Sequence, residues 1–483
     1  MTKKIISALT AFVCAASACA FTAFSVSAEK VSKEKTEAGL TYVRVDYDLD
    51  GNDDFVRITG CDSTATTLNI PVTIENLVVK EIEPGSFMGN ANLTTIEVGA
   101  KNKYFDSDDG ILFTEGGKDL VCFPSAKSKT SYTIPTSVKT IEDYAFASCA
   151  KLTAVTIPDT LTSIGDGAFI SCKKLDKISI PKSVENVGIA AFYNTEILAY
   201  QKRNNMGPLY YADKWLISCD NTVVNVMADE NTIQSGTTGI AGGVFKDFKK
   251  LSKVEVPASV LYISDEAFMN CPELSNVSIP NSVQKMGERV FAKDTRLTEI
   301  ELPDQISKIG AGIFAGCTKL AKVNIPSNVV TLPESAFEGC SSLVTADIPE
   351  TVYVIEKLAY NNCTKLSKVI VNNSNCTITD APQTFSNKDE DYTGTIYGAN
   401  GSTAQKYAET YNRDFQPLDG GDSSLAGDAN QDGKVNVRDA AFIASTLAQG
   451  KGDTLPITAD FNNDKKVNVR DAAAIANYLA TKK

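Results

Sequence analysis

The sequence predicts a β-rich solenoid followed by a small all-α module. Three observations carry that reading: an aromatic that returns every 23 residues, an aliphatic–proline pair in phase with it, and two C-terminal blocks in which an acidic loop precedes an apolar-striped helix. The aromatic occupies Phe146, Phe169 and Phe192, then Phe245, Phe268, Phe291, Phe314, Phe337 and Tyr360, with an earlier copy at Phe87. One repeat of this length is a single supersecondary unit too small to bury its own apolar face, so neighbours must stack around a shared core. The pair falls at Ile134-Pro135, Ile157-Pro158, Ile180-Pro181, Val256-Pro257, Ile279-Pro280, Leu302-Pro303, Ile325-Pro326 and Ile348-Pro349. Proline cannot donate to a strand ladder and so marks a strand end. Val277 and Ile279 alternate around Ser278 as a short strand with one buried face does.

In its cleanest copy the repeat runs from Phe268 through Cys271 to Leu274-x-x-Val277-x-Ile279-Pro280. That pattern resembles the BspA-like leucine-rich repeats of secreted and surface bacterial proteins, over roughly residues 40–418. The resemblance implies a leucine-rich-repeat solenoid, assigned to 87–371. The steps from Phe87 to Phe146 and from Phe192 to Phe245 exceed the period, which places insertions near 99–133 and 196–238. Residues 29–86 are expected to cap the first turn and 372–418 the last, because a solenoid otherwise exposes its terminal apolar faces.

From the N-terminus, Lys3 and Lys4 precede an uncharged run ending Val26-Ser27-Ala28, the pattern of a secretory signal peptide over 1–28. The protein is therefore expected to be secreted, extracellular or at the cell surface. No later apolar run is long enough for a membrane span. Losing the two lysines takes the net charge from −12 to −14. An acidic surface without a basic tract disfavours nucleic acid as a partner. The sequence has no histidine, which removes every mechanism that needs an imidazole.

Asp46-x-Asp48-x-Asp50-Gly51 opens like a calcium loop, but its twelfth position is Arg57, where a carboxylate must close the cage. The stretch therefore reads as a hairpin turn between 42–45 and 55–58. In the first insertion, apolar alternation around Asp108-Asp109-Gly110 predicts a hairpin. The second insertion carries Tyr210, Tyr211 and the only tryptophan, Trp215, so the insertions hold the rings best suited to stack on a sugar. Outward strand positions, Glu97, Thr156, Ser179, Glu255, Ser278, Glu301, Asn324, Asp347 and Ile370, include no aromatic; such a surface suits a protein partner or solvent. Cys149, Cys172, Cys271, Cys317, Cys340 and Cys363 share the slot three after the aromatic, where other copies have Asn90, Thr195, Phe248 and Asp294. A slot with that membership predicts a buried thiol ladder. Parallel side chains on stacked turns have poor disulfide geometry, although adjacent turns leave bridging open.

Behind a brief linker at 419–426 the composition changes. Asp428, Asn430, Asp432, Asn436 and Asp439 place side-chain oxygens at loop positions 1, 3, 5, 9 and 12, with the carbonyl of Lys434 at 7. The set repeats as Asp460, Asn462, Asp464, Lys466, Asn468 and Asp471, giving two Ca2+ sites. In the second loop Lys465 replaces the glycine of position 6. After the loops, Ala440, Ile443, Ala444 and Leu447 recur as Ala472, Ile475, Ala476 and Leu479, an amphipathic helical stripe. Loop-then-helix, twice, resembles a type I dockerin over 427–483. The resemblance implies a cohesin module of a scaffoldin as partner, selected at loop positions 10 and 11: Val437 and Arg438, Val469 and Arg470. The whole reads as a β-rich leucine-rich-repeat solenoid followed by an all-α calcium-binding dockerin: a non-catalytic cellulosome component, attached to the cell surface or a secreted complex through a scaffoldin. Its repeats would bind a protein or a surface ligand. The alternative is a polysaccharide-binding adhesin or a polysaccharide-degrading component of the same complex.

Overall fold

The computed structural model describes residues 29–227, 231–388, 390–418, 427–430, 435–452, 455–456, 459–462 and 466–481. The expected signal peptide and linker lie outside them, as do the loop positions Asp432, Lys434, Asp464 and Lys465. The chain divides into two compact units, Met1–Thr295 and Arg296–Lys483.

Short parallel strands, one register per repeat, build both units. In the first, Ser131–Thr133, Ala154–Thr156 and Lys177–Ser179 pair in sequence order. Each strand is followed by a turn opened by the repeat's proline: the amides of Val138, Leu161 and Val184 donate to the carbonyls of Pro135, Pro158 and Pro181. The chain then runs through a second short strand, such as Thr140–Ile141 paired with Ser163–Ile164, into the aromatic turn. There the backbone adopts left-handed φ two residues before and two after the aromatic, as at Tyr144 and Ser148 around Phe146, and Gly312 and Gly316 around Phe314. Glycine, asparagine and serine recur in these slots because they tolerate φ > 0 at least steric cost. The aromatic amide donates to the neighbouring turn, Phe146 to Ala168 and Phe314 to Ala336, so the turns are hydrogen-bonded as regularly as the strands.

The rings stack in file. In the first unit Phe123, Phe146, Phe169 and Phe192 lie 5.2, 4.9 and 5.4 Å apart, and Phe245, Phe268 and Phe291 lie 5.2 and 5.6 Å apart. In the second, Phe314, Phe337, Tyr360 and Phe385 lie 5.6, 5.0 and 5.8 Å apart. The cysteine slot sits beneath this file. The Sγ of Cys172 donates to the carbonyl of Phe146 at 2.9 Å, that of Cys271 to Phe245 at 3.0 Å, and that of Cys363 to Phe337 at 3.1 Å. All cysteines of the slot are buried free thiols. Other members of the slot also hydrogen-bond, Thr195 donating to Phe192 and Asn90 to Asp62 and Ala65, whereas Phe248 sets its ring edge-on to Phe245.

At the N-terminal end, Leu40–Asp46 and Phe55–Cys61 form an antiparallel hairpin, and the second strand pairs in parallel with Leu77–Ile82. Tyr42, Val56, Ile58 and Val79 pack there with Phe87 and Ile96 of the first repeat. Phe105–Asp108 and Ile111–Thr114 form a hairpin whose two loop residues, Asp109 and Gly110, both have positive φ, the turn that matches strand twist. A third strand, Asp119–Cys122, joins the repeat sheet beside Thr140–Ile141. Helix α1, Glu196–Arg203, is capped by Thr195 and leads into the hairpin Leu209–Ala212 and Trp215–Cys219.

In the second unit Thr345–Ile348, Lys368–Val371, Thr395–Gly398 and Asp414–Pro417 pair in parallel, Pro417 lying on the edge strand where a missing donor is tolerated. Helix α2, Thr403–Thr410, capped by Ser402, sets Tyr407 edge-on against Phe385, so the ring file ends under a helix.

Candidate partner-docking module

Helix α3, Val437–Ala448, begins where Asn436 takes an extended conformation and its Oδ1 accepts the amide of Arg438 at 2.9 Å. Asp439, in the first turn, reaches back: its Oδ2 accepts the amide of Asn436 at 2.8 Å and its Oδ1 that of Asn430 at 3.2 Å. Helix α4, Val469–Thr481, repeats the arrangement. Asp471 accepts the amide of Asn468 at 2.8 Å and that of Asn462 at 3.2 Å, and Asn468 that of Arg470 at 3.0 Å. Each helix thus caps itself with the carboxylate that spans its loop from position 12 to position 3. A carboxylate in the first turn also meets the positive end of the helix dipole.

Asp439 and Asp471 are fully buried, and among the described residues neither has a basic partner. Asp428 is also buried; Asp460 and Asn430 are half-buried, and Asn462 and Lys466 lie at the surface. The described loop residues are oxygen donors only, the set that a hard divalent cation takes, and a buried carboxylate held by two amides still carries a charge that such an ion would meet. On that chemistry the residues fit calcium.

The helices pack on each other through Ile443 and Ile475, with Ala440, Leu447, Ala472 and Leu479 around them and Phe461 set edge-on to Tyr478 at 5.4 Å. One expectation is corrected here: Ala444 and Ala476, assigned to the packed stripe, are exposed. Two helices and their short loops cover only a narrow seam, so the fourth stripe position faces outward. Gly427 has φ +105°, and a Cβ there would lie 2.7 Å from the Phe461 ring, so the chain enters the first loop through a gap only glycine fits.

Val437 is 71% and Val469 65% exposed, each beside an exposed arginine, Arg438 and Arg470, at the first turn of its helix. Exposed valine at both copies of one position, continued along α3 by exposed Ala441, Phe442 and Ala444, is an apolar surface with a basic rim.

Elsewhere the sequence misplaces the rings. Trp215 is 0% exposed and lies parallel to Tyr262 at 6.4 Å, and Tyr210 and Tyr211 are buried with it, so these three rings are not free to stack on a ligand; the exposed ring of the second insertion is Tyr200 on α1. In the first insertion Phe105, Phe113 and Phe123 are buried as well, whereas Tyr104 is exposed. The outward strand row is exposed from Glu97 to Asp347, with Ile370 half-buried. The acids of the aromatic turns serve the backbone: Asp143, Asp166 and Asp265 accept the amides of Asp166, Ile189 and Glu288, each at 2.6 Å. Phe123 and Phe385 are ring-file members that sequence reasoning missed. Phe123 was legible, lying 23 residues before Phe146, whereas Phe385 breaks phase at 25 after Tyr360.

This is a repeat solenoid joined to a duplicated loop–helix module, and neither part is a catalytic fold. The BspA type leucine rich repeat region model matches residues 120–209, 224–344 and 290–390, more than half the chain, and the dockerin type I domain model matches 426–480. The chain belongs to the BspA-type leucine-rich-repeat family and carries a type I dockerin. Similar solved structures include a leucine-rich repeat protein from Eubacterium ventriosum (21% identity; 59% of this chain, 56% of that one; TM-score 0.22). The chain thus spans little more than half of that protein. Others are a leucine-rich cell surface protein from Faecalibacterium prausnitzii (20%; 75% and 99%; 0.29) and the pneumococcal vaccine antigen PcpA (18%; 80% and 98%; 0.31). No curated protein matches. No described helix is long and apolar enough to cross a membrane.

Proposed function

We propose that the chain is an exported adaptor of a cellulosome-type assembly: its dockerin, loaded with two calcium ions, seats on a cohesin module of a scaffoldin, while the repeats hold a protein ligand. The observation that carries the docking reading is the duplicated helix start, Val437-Arg438 and Val469-Arg470, exposed on helices whose caps match to within 0.1 Å. The ligands would be Asp428, Asn430, Asp432, Lys434, Asn436 and Asp439 in the first loop, and Asp460, Asn462, Asp464, Lys466, Asn468 and Asp471 in the second. Calcium supplies the charge that lets the acids of each loop converge, and Asp439 and Asp471 tie the loop to the helix that carries the contact residues.

Because the two helix starts are equivalent, the module can grip its partner through either. Charge reversal at Arg438 or at Arg470 alone should then weaken cohesin binding only slightly, and both together severely. If one single reversal abolishes binding and the other leaves it intact, one face alone binds. A protein ligand for the repeats is favoured over a polysaccharide because the outward strand row is charged and hydroxylated and Tyr210, Tyr211 and Trp215 are buried, although Tyr104 and Tyr200 are exposed. Retention of the chain by immobilised plant polysaccharide in the absence of protein partners would reverse that preference.

A further inference from the structure

We propose that the turn of the N-terminal hairpin, Asp46 to Asp54, is a third calcium site, independent of the C-terminal loops. The turn folds Asp46, Asp48 and Asp50 so that one carboxylate oxygen from each lies within 4.8 Å of the others. Exposed acids gather in turns without any ion, but Asp46 is not exposed. It is only 3% accessible, at the end of a strand whose Val43 and Val45 pack on Phe55. Its Oδ2 accepts the amide of Gly51 at 3.2 Å, while its buried Oδ1 has no partner among the described residues. A buried carboxylate oxygen that meets no donor destabilises the fold unless a cation faces it.

Three neighbouring cations are engaged elsewhere, while Lys30, across from Asp46 on the adjoining strand, is exposed. Arg44 pairs with Asp53 at 3.2 Å, Arg57 with Glu29 and Glu81 at 2.6 Å each, and Lys80 lies over the rings of Tyr47 and Phe55 at 5.6 and 4.4 Å. The unpartnered Oδ1 is thus open to a cation from solution. Two oxygens on one calcium ion stand at most about 5 Å apart, twice the metal–oxygen distance, and the three carboxylates fall inside that limit. Magnesium, with bonds of roughly 2.1 Å and a strict octahedron, fits a flexible turn less well.

Arg57 at the twelfth position does not count against the site, because the rule it breaks belongs to a loop that leaves into a helix. Here the chain reverses into a strand, and Arg57 is drawn into its ion pairs with Glu29 and Glu81. The acid returned to the turn is Asp54, whose Oδ2 accepts the amide of Tyr47 at 2.7 Å. Asp54 thus braces the turn beside the three carboxylates, and an ion held by Asp46, Asp48 and Asp50 would tie the hairpin together at its open corner.

Equilibrium dialysis of the full chain against calcium, compared with an Asp48→Asn/Asp50→Asn variant, reads the site as a difference. The C-terminal loops are intact in both proteins and cancel. The variant, with unchanged circular dichroism in chelator, should bind one calcium fewer per chain; an equal count overturns the proposal. Asp46→Asn gives a second reading, because it removes the buried charge and keeps an acceptor for Gly51. It should melt no lower than the parent chain in chelator and clearly lower in calcium. A melting temperature lowered equally in both media makes Asp46 a structural residue only, and the site is then wrong.

Discussion

Asp166 is an acid that the repeat uses against its own solvation. Its Oδ1 holds the amide of Ile189, but burial pushes its carboxyl up from the ordinary 3.8 to about 6, with the charges of Asp143 and Asp265 adding to the rise. A carboxyl raised in the folded state favours the protonated form. Its stabilising effect is complete below the unfolded pKa, near 4, and is lost as pH rises through about 6. Asp166→Asn keeps the acceptor and removes the titration, so the stability difference between variant and parent should grow in the variant's favour from pH 4 to 6.5, as read by denaturant unfolding at each pH. A constant difference across that range contradicts the assignment. Asp294 makes the same point in the cysteine slot. Burial pushes its carboxyl well above the usual range; one oxygen accepts the amide of Cys271 at 2.7 Å and the other has no partner among the described residues. Asp294→Asn should raise stability by roughly 1–3 kcal/mol, the scale of an unmet buried polar group, measurable as a higher denaturation midpoint at neutral pH.

The element that makes this fold is the aromatic turn. Phe314 has no exposed surface and stacks on Phe337, so Phe314→Ala removes both its own burial and one side of its neighbour's contact. A loss of about 3–5 kcal/mol is expected, seen as a lowered melting temperature; an unchanged one would contradict the stacked core. This element was legible because 23-residue periodicity in Phe, Cys and Ile-Pro survives any rearrangement of the loops. The left-handed slots around the ring were not, since Tyr144, Ala190, Arg289 and Leu358 also occupy them, and a hydrogen-bonded turn can impose φ > 0 on residues that would not choose it. Nor was the fate of Trp215 legible. Composition reports that a ring is present, but only the pairing of Trp215–Cys219 with Gly239–Ile240 turns it inward, and an added Cβ at Gly239 would come within 2.5 Å of it. In the loop–helix blocks the two helices and their apolar stripe could be read from spacing, whereas the caps made by Asp439 and Asp471 and the exposure of Ala444 and Ala476 could not, the latter because it depends on how little of each helix its partner covers.

Across the whole molecule, two kinds of stability are set side by side. The repeats hold themselves by ring stacking, aliphatic packing and backbone bonds passed from turn to turn, none of which involves a metal. The dockerin has a core of few residues around Ile443 and Ile475 and buries Asp439 and Asp471 without basic partners among the described residues, so the proposed calcium is expected to hold its loops. The measurement that tests this most directly is titration of the full chain with a type I cohesin in calcium and again in excess chelator, with the melting of the repeats followed in parallel. Binding should be present in calcium and lost in chelator while the strand signal of the repeats persists at room temperature. Binding that survives the chelator, or a chelator that melts the repeats along with the tail, would contradict the account.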